Sequence, residues 1–246
     1  MTDNDAVRWL GVADKKALCD EAARRICASA TDAIKARGRF VIVLAGGSTP
    51  RAVYKLLCNV HADWPRWQVF FGDERCLASD DCGRNSRMAC DTWLRHVAIP
   101  PQQIHVIPAE LGAHQAAVAY TRTLRNIGDF DLVLLGLGED GHTASLFPSP
   151  AGSSATNEPD AVAICDAPKS PARRVSLSAA RLSRTRAALF LVAGESKRHA
   201  VSQWQAAAPV VAASIRPSAG VDVLVEASLL AHRYEPEIRP ETMQQM

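Results

Sequence analysis

Four short segments carry residue types able to do chemistry. The longest is Leu132-Val133-Leu134-Leu135-Gly136-Leu137-Gly138-Glu139-Asp140-Gly141-His142-Thr143, continuing to Phe147-Pro148. Its apolar half reads as a buried parallel strand. Its polar half then falls at the carboxyl edge of a sheet, where open α/β sheets bind ligands. A histidine with a pKa near neutrality is the usual general base for activating water. It needs a partner to fix its tautomer, and Asp140 or a backbone carbonyl could serve.

The second segment is Ala45-Gly46-Gly47-Ser48-Thr49-Pro50, between a strand and a helix. Glycines let the backbone turn and its N–H groups approach a ligand, and a helix N-terminus favours an anion. Gly46, Gly47, Ser48 and Thr49 are therefore candidate phosphate binders. The Lys of a P-loop and the third glycine of a dinucleotide fingerprint are missing. The plainer alternative is a helix cap at Ser48 or Thr49. The third segment, Gly72-Asp73-Glu74-Arg75, read alone favours a solvated loop with local ion pairs, but the buried apolar strand before it places its opposite charges at the sheet edge and tilts the reading toward a site. In the fourth, Arg174 opens a strand and Lys197 opens a helix after Gly194, so both could complement an anion held by the glycine loop.

The elements that must position these residues alternate. Helical periodicity covers 14–37, 49–60, 85–97, 113–127 and 195–207, with Met88, Trp93, Leu94 and Val97 facing inward in the third. Apolar runs mark strands at Phe40–Leu44, Trp67–Phe71, Ile104–Ile107, Phe130–Leu137, Ala161–Cys165, Val175–Ser178, Ala187–Ala193 and Val221–Val225. Gly72–Arg84 and Ser149–Glu158 read as loops, and the tail after Tyr234 as frayed. This pattern predicts an α/β fold: an open, mostly parallel sheet with helices on both faces, in one domain over residues 1–246.

The bulk numbers narrow the function. The 246 residues carry a net charge of +2, too small for nucleic-acid binding by bulk attraction. No apolar run approaches the roughly 20 residues that span a bilayer. Met1–Asp5 is polar and acidic, unlike a secretory signal. Seven cysteines without a C-x-x-C pair read as reduced, mostly buried thiols in a cytoplasmic protein, with no metal site. His61, His96, His105, His114, His199 and His232 read as structural or surface residues, and Arg181, Arg184 and Arg186 as solvated charges.

In this order, the segments resemble the 6-phosphogluconolactonase family, from about residue 6 to residue 230. The resemblance rests on Ala45–Pro50, Gly72–Arg75, Asn85 with Met88-Ala89, Gly136–Pro148 and Gly194-Glu195-Ser196-Lys197, of which Gly136–Pro148 is the most specific. That family is related to glucosamine-6-phosphate deaminases and, more distantly, to ribose-5-phosphate isomerases and CoA transferases. The resemblance implies no cofactor and a small sugar phosphate as partner. It also implies hydrolysis of 6-phosphoglucono-1,5-lactone in the pentose phosphate pathway. By the same resemblance, His142 is the general base and Gly46–Thr49 form the phosphate loop; Asp140 and Asp73, read from the residues themselves, are carboxylates that could orient or bind. Asn85 falls among the substrate contacts, and Arg75, Arg174 and Lys197 are the basic residues around the substrate.

The chain departs from the family pattern at Cys76–Cys82, where an apolar residue and prolines are usual, and at Ser86, where a Tyr is usual after the Asn. Two rival readings remain: an amino-sugar-phosphate deaminase and a non-catalytic sugar-phosphate sensor. The deaminases carry a Glu where this chain has Phe147, which cannot exchange a proton. A monomer and a homodimer are both open.

Overall fold

Seven short strands hydrogen-bond side by side and all in parallel, the central ones too apolar to face water. In chain order they are β1 (Val7–Val12), β2 (Phe40–Leu44), β3 (Trp67–Phe71), β5 (Ile104–His105), β6 (Leu132–Gly136), β9 (Ala188–Val192) and β10 (Val221–Glu226). The sheet order is β1-β10-β9-β6-β2-β3-β5. Every residue of β2 and of β9 is buried, as a strand covered on both sides requires. The computed structural model describes residues 7–148 and 158–230. Most of the expected Ser149–Glu158 loop, the N-terminal Met1–Asp5 and the tail after Tyr234 lie outside the described residues.

The chain builds the sheet outward in one direction through β2, β3 and β5, then returns to β2's other side with β6, β9 and β10. Right-handed crossovers in opposite directions place their helices on opposite faces. One layer therefore holds α1 (Lys15–Arg37), α2 (Ser48–Leu57) and α3 (Asn85–Thr92), which pack in series. The return path holds α4 (Ala113–Leu124), α5 (Ala179–Ser183) and α6 (Arg198–Gln205). The reversal lies between β2 and β6, and a crevice opens at such a switch point. The glycine loop follows β2 and the His142 loop follows β6, so topology alone sets the two side by side.

Two buried tyrosines fix the strand ends at this crevice. Tyr54 Oη accepts from Ala45 N–H at 3.1 Å and donates to Ala45 C=O at 2.8 Å. Tyr120 Oη accepts from Phe71 N–H at 2.9 Å.

Several expectations need correcting. Gly72–Arg84 is not a loop without structure. Its first residues form β4 (Asp73–Arg75), which pairs antiparallel with β8 (Arg174–Leu177), and β8 pairs antiparallel with β7 (Ala161–Ile164). A charged triplet carries no apolar periodicity, so pattern alone could not show it. β1 was missed for a similar reason: as an edge strand it includes Arg8 and Gly11 and is only half buried. The helix expected over 85–97 stops at Thr92, where a separate turn runs from Leu94 to His96; Trp93 and Leu94 are buried, while Met88 and Val97 are only partly so. The helix expected over 195–207 begins as a 3-10 turn through Lys197. The cap of α2 is Gly47, at φ 111°, not Ser48 or Thr49.

Arg181 is not a solvated charge. It is fully buried, lies 3.6 Å over the Phe130 ring and donates to the Ile127 and Gly128 carbonyls. Of the seven cysteines only Cys19 is buried, and Cys82, Cys90 and Cys165 are exposed.

Glu74 explains how three charges in a row can form a strand. Side chains alternate along β4, so Asp73 and Arg75 face the crevice and Glu74 points inward, with no exposed surface. Its carboxylate accepts from the backbone N–H groups of Arg75, Asn85 and Ser86 at 2.9, 2.7 and 2.8 Å. Two of those amides open α3, so Glu74 caps that helix from outside its own segment. Buried Arg84 lies 3.4 Å away as counter-charge. Removing one partner of such a network typically costs about 3–5 kcal/mol. Glu74→Ala should therefore lower the thermal midpoint by roughly 10 °C in calorimetry, and a shift under about 2 °C would contradict this account.

Candidate active site

The crevice is lined by strand ends and the loops that follow them. Gly46 and Gly47 come from the β2 loop, Asp73 and Arg75 from β4, and Asn85 from α3. Gly136–Glu139 and His142 follow β6, Arg174 opens β8, and Lys197 precedes α6. The fold thus brings together eight of the eleven expected residues as walls. Asp140 stands behind His142. Ser48 is exposed and Thr49 buried, and neither is among the residues that line the crevice. Their backbone amides still belong to the first turn of α2, which has no intrahelical acceptors.

The His142 loop is a tight turn. Gly138 N–H donates to His142 C=O at 2.7 Å, and Gly141 N–H donates to Gly138 C=O at 3.1 Å. Gly141 has φ 80°, the region that favours glycine. Thr143 Oγ1 donates to Gly136 C=O at 2.8 Å, tying the loop back to its strand. A Cβ on Gly138 would overlap the His142 ring and the Asp140 carboxylate, so only glycine fits there.

That turn sets Asp140 Oδ1 against His142 Nδ1. An ionised carboxylate only accepts, so Nδ1 carries the proton and Nε2 is left with its lone pair. Partial burial pushes Asp140 up, but hydrogen bonds from the His142 ring and backbone outweigh it, and the carboxyl sits below its ordinary value. Asp140 stays ionised and the tautomer stays fixed. The Phe147 ring packs 4.6 Å from the imidazole.

Asp73 is the buried carboxylate of the crevice. Ser145 Oγ donates to its Oδ2 at 2.5 Å, and Asn85 Nδ2 to its Oδ1 at 3.0 Å. Asn85 presses so close to the glycine loop that a Cβ on Gly46 would overlap its carboxamide. Burial pushes the Asp73 carboxyl above its ordinary range, against the pull of Ser145, Arg174 and Arg75.

The cations are arranged at a cost. Arg75 and Arg174 stand directly opposite one another on β4 and β8, a placement that destabilises like charges. Arg75 is steadied by the Gly83 carbonyl. Arg174 is buried, donates to Pro171 C=O at 3.0 Å and Lys169 C=O at 2.8 Å, and lies 5.5 Å over the Phe147 ring. Lys197 is half-buried, and this lowers its pKa while Glu139 pulls it back up. The walls thus hold four cations, Arg75, Lys169, Arg174 and Lys197, against two carboxylates, Asp73 and Glu139. That balance suits a small anion with two or more charges.

Three residues of this site were not singled out in the sequence as binders: Lys169, Ser145 and Glu139. Lys169 sits in Ala167-Pro168-Lys169-Ser170-Pro171, which reads as an ordinary turn. The usable signal was that two strands flanking nine residues make a hairpin, so its turn must lie near the end of β8 where Arg174 stands. Among the described residues no cluster of His, Cys, Asp and Glu could hold a metal ion, and no helix is long and apolar enough to cross a membrane.

Comparison with known proteins agrees with this fold. A family model described as glucosamine-6-phosphate isomerases/6-phosphogluconolactonase matches residues 13–227. The 6-phosphogluconolactonase of Synechocystis sp. is 36% identical over 199 residues, covering 77% of this chain and 81% of that protein. That of Mycobacterium tuberculosis is 37% identical over 204 residues, covering 77% and 82%. The crystal structure of 6-phosphogluconolactonase from Thermotoga maritima superposes with a TM-score of 0.81 at 25% identity, covering 90% of this chain and 99% of that one. A monomeric glucosamine-6-phosphate deaminase superposes at 0.77 with 22% identity over 91% and 98%, which is a likeness of fold.

The buried Asp73 gives a pH prediction. Its folded pKa lies above the unfolded value, so the ionised form weakens the fold at high pH and the protonated form does not at low pH. Asp73→Asn should therefore melt higher than the parent at pH 8. The gain should shrink as pH falls from the raised folded pKa toward the ordinary carboxylate value and be gone below it; a gain that does not change with pH would show that burial is not the cause.

Proposed function

Since this chain belongs to the family of glucosamine-6-phosphate isomerases and 6-phosphogluconolactonases, we propose that it hydrolyses 6-phosphoglucono-1,5-lactone to 6-phosphogluconate. The observation that carries this reading is the Asp140–His142 pair beside a crevice with a cationic surplus. A lactone bearing a phosphate needs both parts: a base for water and a counter-charge for the phosphate.

The steps follow from the placement. The phosphate lies against Gly46, Gly47 and the first-turn amides of α2, with Arg174 and Lys197 near. His142 Nε2 takes a proton from a water, and the water's oxygen bonds to the lactone carbonyl carbon. Arg75 and the loop amides stabilise the tetrahedral oxyanion. The ring C–O bond then breaks, His142 returns its proton to the departing ring oxygen, and the product is a carboxylic acid with a free hydroxyl, which loses its remaining water-derived proton to solvent to become the carboxylate. Asp140 keeps the imidazole in the right tautomer and stabilises its charged form. Asp73 and Asn85 hold the substrate's hydroxyls. None of these steps needs a cofactor. The reaction belongs to the pentose phosphate pathway. A cytoplasmic address accords with seven cysteines that are all free.

The deaminase reading is weaker at one residue. Phe147 occupies the position where those enzymes carry a Glu, and it packs on His142 and Arg174. It offers no proton to open a sugar ring. A sensor would need the cations but not the Asp140–His142 pair.

Two variants test the base. A general base contributes about 10²–10⁴-fold, so His142→Ala should lose that much lactone turnover above the spontaneous rate while still binding 6-phosphogluconate. Retained turnover would move the base elsewhere. Gly138→Ala should mimic most of that loss in a protein whose circular dichroism is unchanged, because its methyl displaces the imidazole; turnover near that of the parent would refute the tight-turn argument.

A further inference from the structure

The proposed phosphate contacts account for Arg174 and Lys197, but not for the fourth cation of the crevice. Lys169 stands in the turn between β7 and β8, with its side chain two-thirds exposed at 66%. Its Nζ lies 3.6 Å from Glu139 Oε2, beside the His142 loop. Lys197 feels the charges of Glu139, Lys169 and Asp140, so the two ammonium groups and the Glu139 carboxylate form one cluster on the crevice wall.

We propose that Lys169 is the residue by which this crevice selects a phosphorylated sugar over the same sugar without phosphate, and that the phosphate takes it from Glu139. This rests on the lactonase reading above and adds to it the source of selectivity.

The exchange is favourable on three physical grounds. First, the existing bridge is loose. At 3.6 Å it exceeds hydrogen-bonding distance, and an exposed pair of this kind contributes little. A phosphate dianion offers an ammonium a shorter, charge-assisted hydrogen bond. Second, the backbone need not move. The Lys169 carbonyl is already held by buried Arg174 at 2.8 Å, so only a four-carbon stem has to swing. Third, the two guanidiniums are less free to adjust, and Lys197 is half-buried. Arg75 and Arg174 are tied to carbonyls of their own neighbourhoods. Lys169 is the cation best placed to follow a ligand. Glu139 supplies the opposing force: with its partner drawn away, it repels an anion and sharpens the requirement for Lys169.

The geometry gives opposite signs to the two partners. Lys169→Met removes a counter-charge and leaves Glu139 unpaired, so it should weaken the phosphorylated substrate. Glu139→Gln removes a competitor, so it should tighten it. A lost charge-assisted hydrogen bond corresponds to about tenfold or more in affinity.

The experiment compares the wild-type chain with Lys169→Met, Glu139→Gln and the double variant. The substrates are 6-phosphoglucono-1,5-lactone and unphosphorylated glucono-1,5-lactone, and the readout is the ratio of their kcat/KM values. The ratio should fall about tenfold in Lys169→Met, through KM of the phosphorylated lactone. It should rise in Glu139→Gln, and the double variant should fall between the two singles. A ratio unchanged in Lys169→Met, or a loss that appears equally with both lactones, would overturn the proposal.

Binding of 6-phosphogluconate and of inorganic phosphate by calorimetry separates the two levels of inference. If the wild-type chain does not open either lactone yet binds 6-phosphogluconate in the order Glu139→Gln, wild type, Lys169→Met, the lactonase reading fails and the Lys169 assignment stands. If the wild type turns over the phosphorylated lactone and all three proteins bind 6-phosphogluconate equally, the lactonase reading stands and the Lys169 assignment fails.

Discussion

The crevice depends on one buried carboxylate that never touches it. Glu74 has no exposed surface, yet it accepts from three backbone amides and lies against Arg84. Through those bonds it fixes β4 to the start of α3. Asp73 and Arg75 are its chain neighbours, and Asn85 supplies one of its amide donors. A carboxylate in the core is costly unless it is satisfied, and here its satisfaction is what sets three crevice residues in place. Within Asp73-Glu74-Arg75 the two-residue period of a strand sends the middle charge to the scaffold and the outer two to the site.

The charges facing the crevice are arranged for something other than stability. Arg75 opposite Arg174 on paired strands is a repulsive placement, and Asp73 is a carboxylate held above its ordinary pKa by burial. A chain optimised for folding alone would avoid both. Functional sites are where such costs are tolerated, because preorganised charge is what binds an anion and steadies an oxyanion. The surrounding hydrogen bonds hold each group in position. Arg174 is fixed by two carbonyls, Asp73 by Ser145 and Asn85, and His142 by Asp140.

Much of this was legible in the sequence, and the limits have physical causes. The parallel strands declared themselves because burial on both faces demands unbroken apolar runs, as in Phe40–Leu44 and Ala188–Val192. The site loops declared themselves because glycine followed by polar residues ends such a run. What escaped was set by tertiary contacts. The burial of Glu74 and of Arg181 left no trace in the sequence, because the donors and acceptors that make it tolerable come from distant segments: Asn85 and Ser86 for one, Ile127, Gly128 and the Phe130 ring for the other. β4 escaped because its pairing with β8 spans about a hundred residues and leaves no apolar alternation. The plainer reading of Ser48 or Thr49 as the cap of α2 failed because Gly47 takes that position with no side-chain hydrogen bond.

The division of labour in the crevice follows from where its parts are anchored. Groups that must keep a fixed geometry, the imidazole and the two guanidiniums, are held by short loops or by paired strands. The one long, exposed cation stands in a hairpin turn whose backbone is clamped by Arg174 while its side chain is held only by a loose bridge to Glu139. Rigid groups suit a reaction whose geometry is set by covalent bonds, where small misplacements cost rate. A mobile ammonium suits a phosphate, which is a diffuse charge with several equivalent oxygens and accepts a point donor from many directions. A site that must align a lactone carbonyl and also capture the charge at the far end of the same molecule gains from having both kinds of group, and this chain sets both along the wall of one crevice.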